Sequence, residues 1–424
     1  MYQLQDVDLN FYYDNEVNII KRFLEIRKFS NSLIDPLEKE DLCLQGMENA
    51  SPPKWHLGHT NWFFETIVLR PWINEYKVQD ERWGYIFNSY YETFGNRHPR
   101  AKRGLLTRPS INEVMKWRNR VDKEIVNLIN KGFCSNKKWA YLLETGIQHE
   151  QQHQELFLMD ILDGFSRQPL QPIYDINYQL KDFKKADFDF LSAKNDKWIS
   201  FQEGLYEVGV ENEPRNNKQR KFFFDNESPC HKVWLEPFKL SRYLVKNIEY
   251  KEFINDGGYR KSELWMSEGW EIKNEKKWEA PRYWRRDSQQ SDWDKEFTLK
   301  GLKPIDFDMP VRHVSWFEAD AFARWSKARL PLETEWEVAA NNNLNSLKNI
   351  HDYVWQWTSS AYAAYPGFRP NQGELFEYNG KFMSSQYVLK GSSYITPRGH
   401  SRNSYRNFFN PASRWVVSGL RLAK

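Results

Sequence analysis

The sequence predicts an α+β multidomain chain, an N-terminal bundle of four main helices followed by a mixed α/β domain. Its 424 residues are too many for one ordinary domain. As far as residue 165 the apolar residues recur at helical spacing. From Trp198 onward short aromatic segments alternate with Gly, Asn and Pro turns, and long helical patterns become sparse.

Glu16 to Leu33 places Ile19, Ile20, Phe23, Leu24 and Ile26 at helical spacing. Lys54 to Leu69 reads as the second helix, opened by the pair Pro52-Pro53. Ser110-Ile-Asn-Glu113 has the capping-box pattern, in which Ser and Glu satisfy each other's free amides. It opens a helix carrying Val114, Trp117, Val121, Ile125 and Leu128. Lys138 to Phe165 is the last long helix, and four such helices predict a bundle over residues 1–165. Residues 166–196 read as an irregular connector with Pro169, Pro172 and the charged stretch Lys181 to Lys185. Residues 197–424 form the mixed domain, with modest helices expected at Glu318 to Ser326 and Glu333 to Ala340.

Composition narrows the function. Hydrophobic residues make up 40% and aromatics 16%, ample for sizeable cores. A mean hydropathy of -0.80 and the lack of a long apolar run argue against a membrane span. The N-terminus lacks the basic start and apolar block of a secretory signal. A net charge of +4 makes no case for nucleic acid. Cys43, Cys134 and Cys230 are too scattered for a disulfide framework or a zinc ribbon, and a cytoplasmic location is expected.

The chemistry concentrates in Glu144 to Asp160, where His149 and His153 stand four residues apart, on one helix face. Leu142, Gly146, His149, His153, Leu156 and Asp160 form one stripe, so both imidazoles are expected to point into the bundle, where each needs a partner. A pair of core histidines satisfied by polar neighbours accounts for the pair alone as well as a metal does. The segment Trp55-His-Leu-Gly-His-Thr60 shifts that balance, since His56 or His59 can supply a third ligand. His59 is preferred because it shares a face with Trp55, Trp62, Phe63 and Thr66, leaving His56 a supporting or structural place. Three histidines without a carboxylate or cysteine suit iron(II), zinc or copper. His149-Glu-Gln-Gln-His153 also matches the HExxH of zinc proteases, but Gln154 and Glu155 follow where such a helix continues with an apolar residue.

Several motifs, in order, carry a family resemblance. Ser51-Pro-Pro-Lys-Trp-His-Leu-Gly-His59, Trp62-Phe-Phe-Glu-Thr66, Phe87-Asn-Ser-Tyr-Tyr91, Arg103-Gly-Leu-Leu-Thr-Arg-Pro109 and His149-Glu-Gln-Gln-His-Gln-Glu155 resemble the DinB-like domain of ergothioneine-type non-haem iron sulfoxide synthases. Pro310-Val-Arg-His-Val-Ser-Trp316, Arg329-Leu-Pro-Leu-Glu-Thr-Glu-Trp-Glu337, Val354-Trp-Gln-Trp-Thr358 and Ser418-Gly-Leu-Arg421 resemble the formylglycine-generating-enzyme fold, related to C-type lectins. The resemblance implies an iron(II) enzyme that uses O2 to join a cysteine sulfur to C2 of Nα-trimethylhistidine (hercynine) and oxidises the sulfur to a sulfoxide. It implies His59, His149 and His153 as the iron ligands. Tyr90 and Tyr91 match family tyrosines near the iron, with an extended backbone expected to let only one of them face it. Gln152 matches a residue near the trimethylhistidine site, and Asn407, Phe408 and Phe409 resemble the second domain's share of that pocket. Arg97, Arg100 and Arg103 lie in the region that helps hold the thiol substrate. Arg421 reads as structural.

Departures refine the expectation. The segment Lys390 to Ser401 holds no Cys, which removes the copper-binding cysteine pair of formylglycine-generating enzymes. Three residues follow Arg421, leaving no room for the methyltransferase domain of ovothiol synthases. Cysteine and γ-glutamylcysteine are both candidate thiols, and Asn88-Ser-Tyr-Tyr91 resembles the cysteine-using branch. A selenium–carbon bond-forming homologue, a zinc-dependent DinB-like thiol transferase and a non-catalytic lectin-like binding module are the alternatives.

Overall fold

The computed structural model describes residues 16–174, 197–211, 222–342, 346–371 and 373–424. The N-terminal stretch before Glu16 and connector residues 175–196 lie outside the described residues. The helical half comprises α1 (Glu16–Ser32), α2 (Pro53–Phe63), α3 (Glu81–Phe87), α4 (Ile111–Asn130) and α5 (Lys137–Ser166). The capping box forms as read: the Glu113 amide donates to Ser110 Oγ, and the Ser110 amide donates to the Glu113 carboxylate. Every residue of α2 is buried, because α2 runs between α4 and α5 and has no solvent face.

The helix expected to run unbroken to Leu69 instead widens into a π-turn over Phe64–Leu69. The wider turn lets consecutive rings both serve the core. Phe63 lies 4.5 Å from the His149 ring, and Phe64 lies 5.3 Å from Phe23. Gly146 makes room for that turn, since a Cβ there would stand 2.6 Å from Phe64.

Four strands open the second half: β1 (Trp198–Phe201), β2 (Gly204–Val208), β3 (His231–Leu235) and β4 (Phe238–Ser241). Helices α6 (Asn247–Asn255) and α7 (Ser267–Glu275) precede a three-stranded sheet of β5 (Trp284–Arg285), β6 (Lys295–Thr298) and β7 (Gly301–Pro304). The two expected modest helices are α8 (Trp316–Trp325) and α9 (Glu333–Asn342), and Ser315 caps the first. The principal sheet holds β8 (Trp355–Ala361), β9 (Tyr387–Gly391), β10 (Asn407–Phe409) and β11 (Ser418–Gly419) in the order β10-β9-β8-β11. Only its β8–β11 pair is parallel.

The two halves meet along α5. One side of this 30-residue helix packs on α1 and α2. Another side faces the sheet-bearing half, where Trp355 Nε1 donates to Glu155 at 2.7 Å and Gln151 Nε2 donates to the Arg398 carbonyl at 2.9 Å. Among the described residues, no helix is long and apolar enough to cross a membrane.

Candidate active site

α2 carries His59 against α5, and its Nε2 comes within 3.2 Å of His149 Nε2. One ring nitrogen from each of His59, His149 and His153 lies within 4.8 Å of the others. Nothing else in the bundle assigns the tautomers so directly as the hydrogen bonds around these rings. His59 Nδ1 donates to the Phe87 carbonyl at 2.6 Å, which leaves a lone pair on Nε2. His153 Nδ1 lies 2.9 Å from His56 Nδ1, and His56 Nε2 lies 3.1 Å from an Asp160 carboxylate oxygen. The carboxylate only accepts, so His56 carries its proton on Nε2 and accepts from His153 Nδ1–H, leaving His153 Nε2 bare.

Burial is the largest cause of a lowered pKa at all three rings. It takes His149 to about 3 and holds His59 and His153 well below the usual histidine range, with neighbouring imidazoles pushing the same way at the latter two. All three are therefore neutral at physiological pH, the form that binds a metal. His59 Nε2 and His149 Nε2 stand 3.2 Å apart, and the other His149 ring nitrogen, Nδ1, is buried without a hydrogen-bond partner among the described residues. Ligand nitrogens about 2.0–2.1 Å from one ion, at neighbouring positions, stand roughly 3 Å apart. The donor set thus fits one divalent ion, and among the described residues no carboxylate joins it.

Glu150 faces away from this point. Its carboxylate accepts from Arg27 at 2.9 Å and Arg118 at 2.6 Å, both buried. Burial alone would raise its pKa, but the two guanidiniums outweigh that and hold it at about 2. It cannot serve as a metalloprotease's general base, so the HExxH match carries no protease chemistry here.

His149 and His153 open onto a cavity of about 300 Å³ that both halves line. Tyr90 lines it, whereas Tyr91 is fully buried behind, against Trp62 and Phe63. The two tyrosines do not point to opposite faces. Asn88 holds a turn, accepting the Tyr91 amide at 3.1 Å and donating to its carbonyl at 2.9 Å, so the rings stack 4.5 Å apart with hydroxyls 3.4 Å apart. Burial raises both phenol pKa values, so both keep their protons.

Gln152 also lines the cavity; it donates to the Tyr405 hydroxyl at 2.9 Å and accepts from the Tyr378 hydroxyl at 2.6 Å. Asn407, Phe408 and Phe409 line the opposite wall from β10 and are half-buried. Phe408 stacks on Tyr362 with ring centres 4.1 Å apart, and Phe409 meets Trp415 edge-on.

Arg97, Arg100 and Arg103 reach one end of the cavity but differ in state. Arg97 is exposed and pairs with Glu92 at 2.9 Å. Arg100 is exposed and donates to the Asn49 carbonyl. Arg103 is buried, its guanidinium carbon 3.4 Å from the centre of the Trp55 ring. It donates to Ser51 Oγ at 2.9 Å and Ser89 Oγ at 3.3 Å, and its Nε has no partner. Burial, then Arg100, lower its pKa to about 8. A buried cation with no paired carboxylate among the described residues, at a cavity wall, has the chemistry to receive an anion.

Sequence reasoning left out Tyr378, Tyr405, His400 and Asp160 as site residues. Asp160 lies on the histidine stripe, and Tyr405 stands two residues before Asn407. Tyr378 lies in a stretch with no periodicity to mark it.

This architecture is that of a helical bundle and a sheet-bearing domain sharing one cavity beside three histidines that could hold a metal ion. Residues 22–157 match the DinB superfamily, and residues 185–348 match the sulfatase-modifying factor enzyme 1-like domain. The chain is 31% identical over 243 residues to the hercynine oxygenase of Mycolicibacterium smegmatis, a match covering 47% of this chain and 55% of that protein. It is 27% identical over 243 residues to ergothioneine biosynthesis protein 1 of Schizosaccharomyces pombe, covering 49% and 28%. It is 26% identical over 184 residues to the inactive C-alpha-formylglycine-generating enzyme 2 of Mus musculus, covering 41% and 54%. The chain spans about half the length of the curated hercynine oxygenases it matches. It is therefore a two-domain protein that joins a DinB-superfamily bundle to a sulfatase-modifying-factor-like domain. Each half carries one of the two domain matches, and the relatives named hercynine oxygenase and ergothioneine biosynthesis protein 1 agree with a resemblance to the ergothioneine-type sulfoxide synthases.

Proposed function

We propose that the chain is an iron(II)- and O2-dependent sulfoxide synthase that joins C2 of hercynine to the sulfur of cysteine, in ergothioneine formation. The observation that carries this reading is the set of three neutral imidazoles aimed at one point on the wall of a cavity. One end of that cavity holds a buried guanidinium with no carboxylate partner among the described residues, and the other an amide and aromatic rings. In the reaction a C2–H and an S–H bond break, and a C–S and an S=O bond form. Dioxygen takes the four electrons released, placing one oxygen on sulfur and the other in water.

Iron(II) in the three-histidine site would supply one-electron chemistry and a meeting place for the reactants. The chain's own residues bind and orient. Arg103 pairs with the substrate carboxylate, and a buried guanidinium with no carboxylate partner among the described residues matches the single carboxylate of cysteine. γ-Glutamylcysteine, with two carboxylates, is the second thiol to test. Gln152 addresses the hercynine imidazole, and the Phe408 ring face fits its trimethylammonium. Asn407 bonds hercynine's polar end, with Phe409 completing the wall. Tyr90 holds a proton at its hydroxyl on the cavity side, with the Tyr91 hydroxyl behind it. The three cysteines, which form no disulfide among the described residues, fit a reducing cytoplasm.

The test is anaerobic loading with ferrous ion, then hercynine, cysteine or γ-glutamylcysteine, and O2, followed by mass spectrometry. A sulfoxide conjugate formed with one O2 per turnover supports the reading. Conjugation by zinc-loaded protein without O2 would replace it with thiol transfer.

A further inference from the structure

A directional hydrogen-bond chain crosses the domain junction and ends on Gln152. It begins at Glu144 on α5, whose carboxylate is clamped by both terminal nitrogens of Arg22, one at 2.8 Å. A carboxylate only accepts, so Gln148, one turn further on, must donate; its Nε2 lies 2.8 Å from Glu144 Oε1. That fixes the Gln148 amide, and its Oε1 faces His400 Nδ1 at 2.8 Å. His400 must then carry its proton on Nδ1 and keep a lone pair on Nε2. The Tyr405 hydroxyl, 3.1 Å from that Nε2, donates to it. The Tyr405 oxygen is left as an acceptor for Gln152 Nε2 at 2.9 Å. Gln152 Oε1 is thereby turned to the Tyr378 hydroxyl at 2.6 Å.

We infer that His400 is a positioning residue: by accepting from Tyr405 while donating to Gln148, it locks the Gln152 amide so that a remaining N–H is presented to the ring nitrogen of the imidazole substrate. This rests on the function proposed above for the identity of the substrate. The polarity of the chain rests on the contacts alone.

Each link is one-way. Reversing the His400 tautomer would set the Nδ1 lone pair against the Gln148 carbonyl oxygen, which can only accept. The surroundings keep the ring neutral, as the relay requires. Burial, reinforced by Arg402 and Arg22, lowers its pKa to about 3. The backbone beside it is pinned to the same helix by Gln151, which donates to the Arg398 carbonyl. An amide has two N–H donors, and Tyr405 takes one of the pair on Gln152. An unlocked Gln152 could flip and present oxygen instead, which repels the imidazole lone pair.

Two measurements test this. In the wild-type protein labelled with 15N-histidine, the His400 resonances, assigned through His400→Phe, should show the proton on Nδ1 and a bare Nε2. A proton on Nε2 overturns the relay, with or without turnover. In kinetics, His400→Phe should raise the hercynine KM about tenfold, the worth of one well-placed hydrogen bond, with the thiol KM unchanged. Tyr405→Phe should do the same, and the double variant should be no worse than either single, because both cut one chain. A hercynine KM unmoved in His400→Phe, or effects that add in the double variant, overturns it. If wild-type protein forms no hercynine product, the proposed function fails, while the tautomer still decides the relay.

Discussion

At position 103 a guanidinium sits against the Trp55 ring with serine hydroxyls for company and no ion pair among the described residues. Such a charge is held at a stability cost unless an anion joins it. Arg103→Leu should therefore unfold at the same or a higher temperature than wild type. Its thiol KM should rise about 10- to 100-fold, the worth of a charged hydrogen bond of about 1.5–3 kcal/mol. Calorimetry and steady-state kinetics check the two halves of that expectation. His56 makes a second residue-scale case, since it orients His153 from behind through Asp160. His56→Leu should lower cobalt(II) affinity about 10- to 100-fold in a competition titration, whereas a merely structural histidine would leave it unchanged. His59 was legible because it shared a face with Trp55, Trp62 and Phe63. His56 stood three residues away with no period to rank it beyond a supporting place. Tyr378 was invisible, because its partner Gln152 lies in the other domain.

Helix α5 does three jobs at once, and its acidic residues divide them. Asp160 supports a histidine, Glu155 binds the second domain, and Glu150 neutralises Arg27 and Arg118 within the bundle. Glu150 is held at about 2, below the ordinary glutamate value of about 4.3. Its contribution to stability is fully present above that ordinary value and is lost as pH falls toward about 2. Glu150→Gln leaves the buried Arg118 without a carboxylate among the described residues and Arg27 with Asp122 alone, and should cost about 3–5 kcal/mol in urea unfolding at pH 7. Its stability should also fall less steeply than wild type between pH 4 and pH 2. The stripe from Leu142 to Asp160 showed which face of α5 turns inward. The π-turn after Phe63 stayed hidden, because two adjacent phenylalanines fit an unbroken helix as well as a widened one.

On the scale of the molecule, the cavity exists only where the two halves meet. The helical half supplies the imidazoles, Tyr90 and the arginines, and the sheet-bearing half supplies Asn407, Phe408, Phe409, Tyr378 and Tyr405. The change of pattern near Trp198 revealed two architectures. Their contact along α5 includes pairs 200 or more residues apart, such as Glu155 with Trp355, which no local period encodes. The shared cavity matters only if the three imidazoles hold one ion. Ferrous titration of the purified chain, with X-ray absorption of the loaded protein, tests this most directly. The account predicts one tightly held iron per chain with three imidazole nitrogens in its shell, lost when His59, His149 or His153 is changed to Ala. A chain that binds no ferrous ion, or that keeps it unchanged in His59→Ala, would contradict the account.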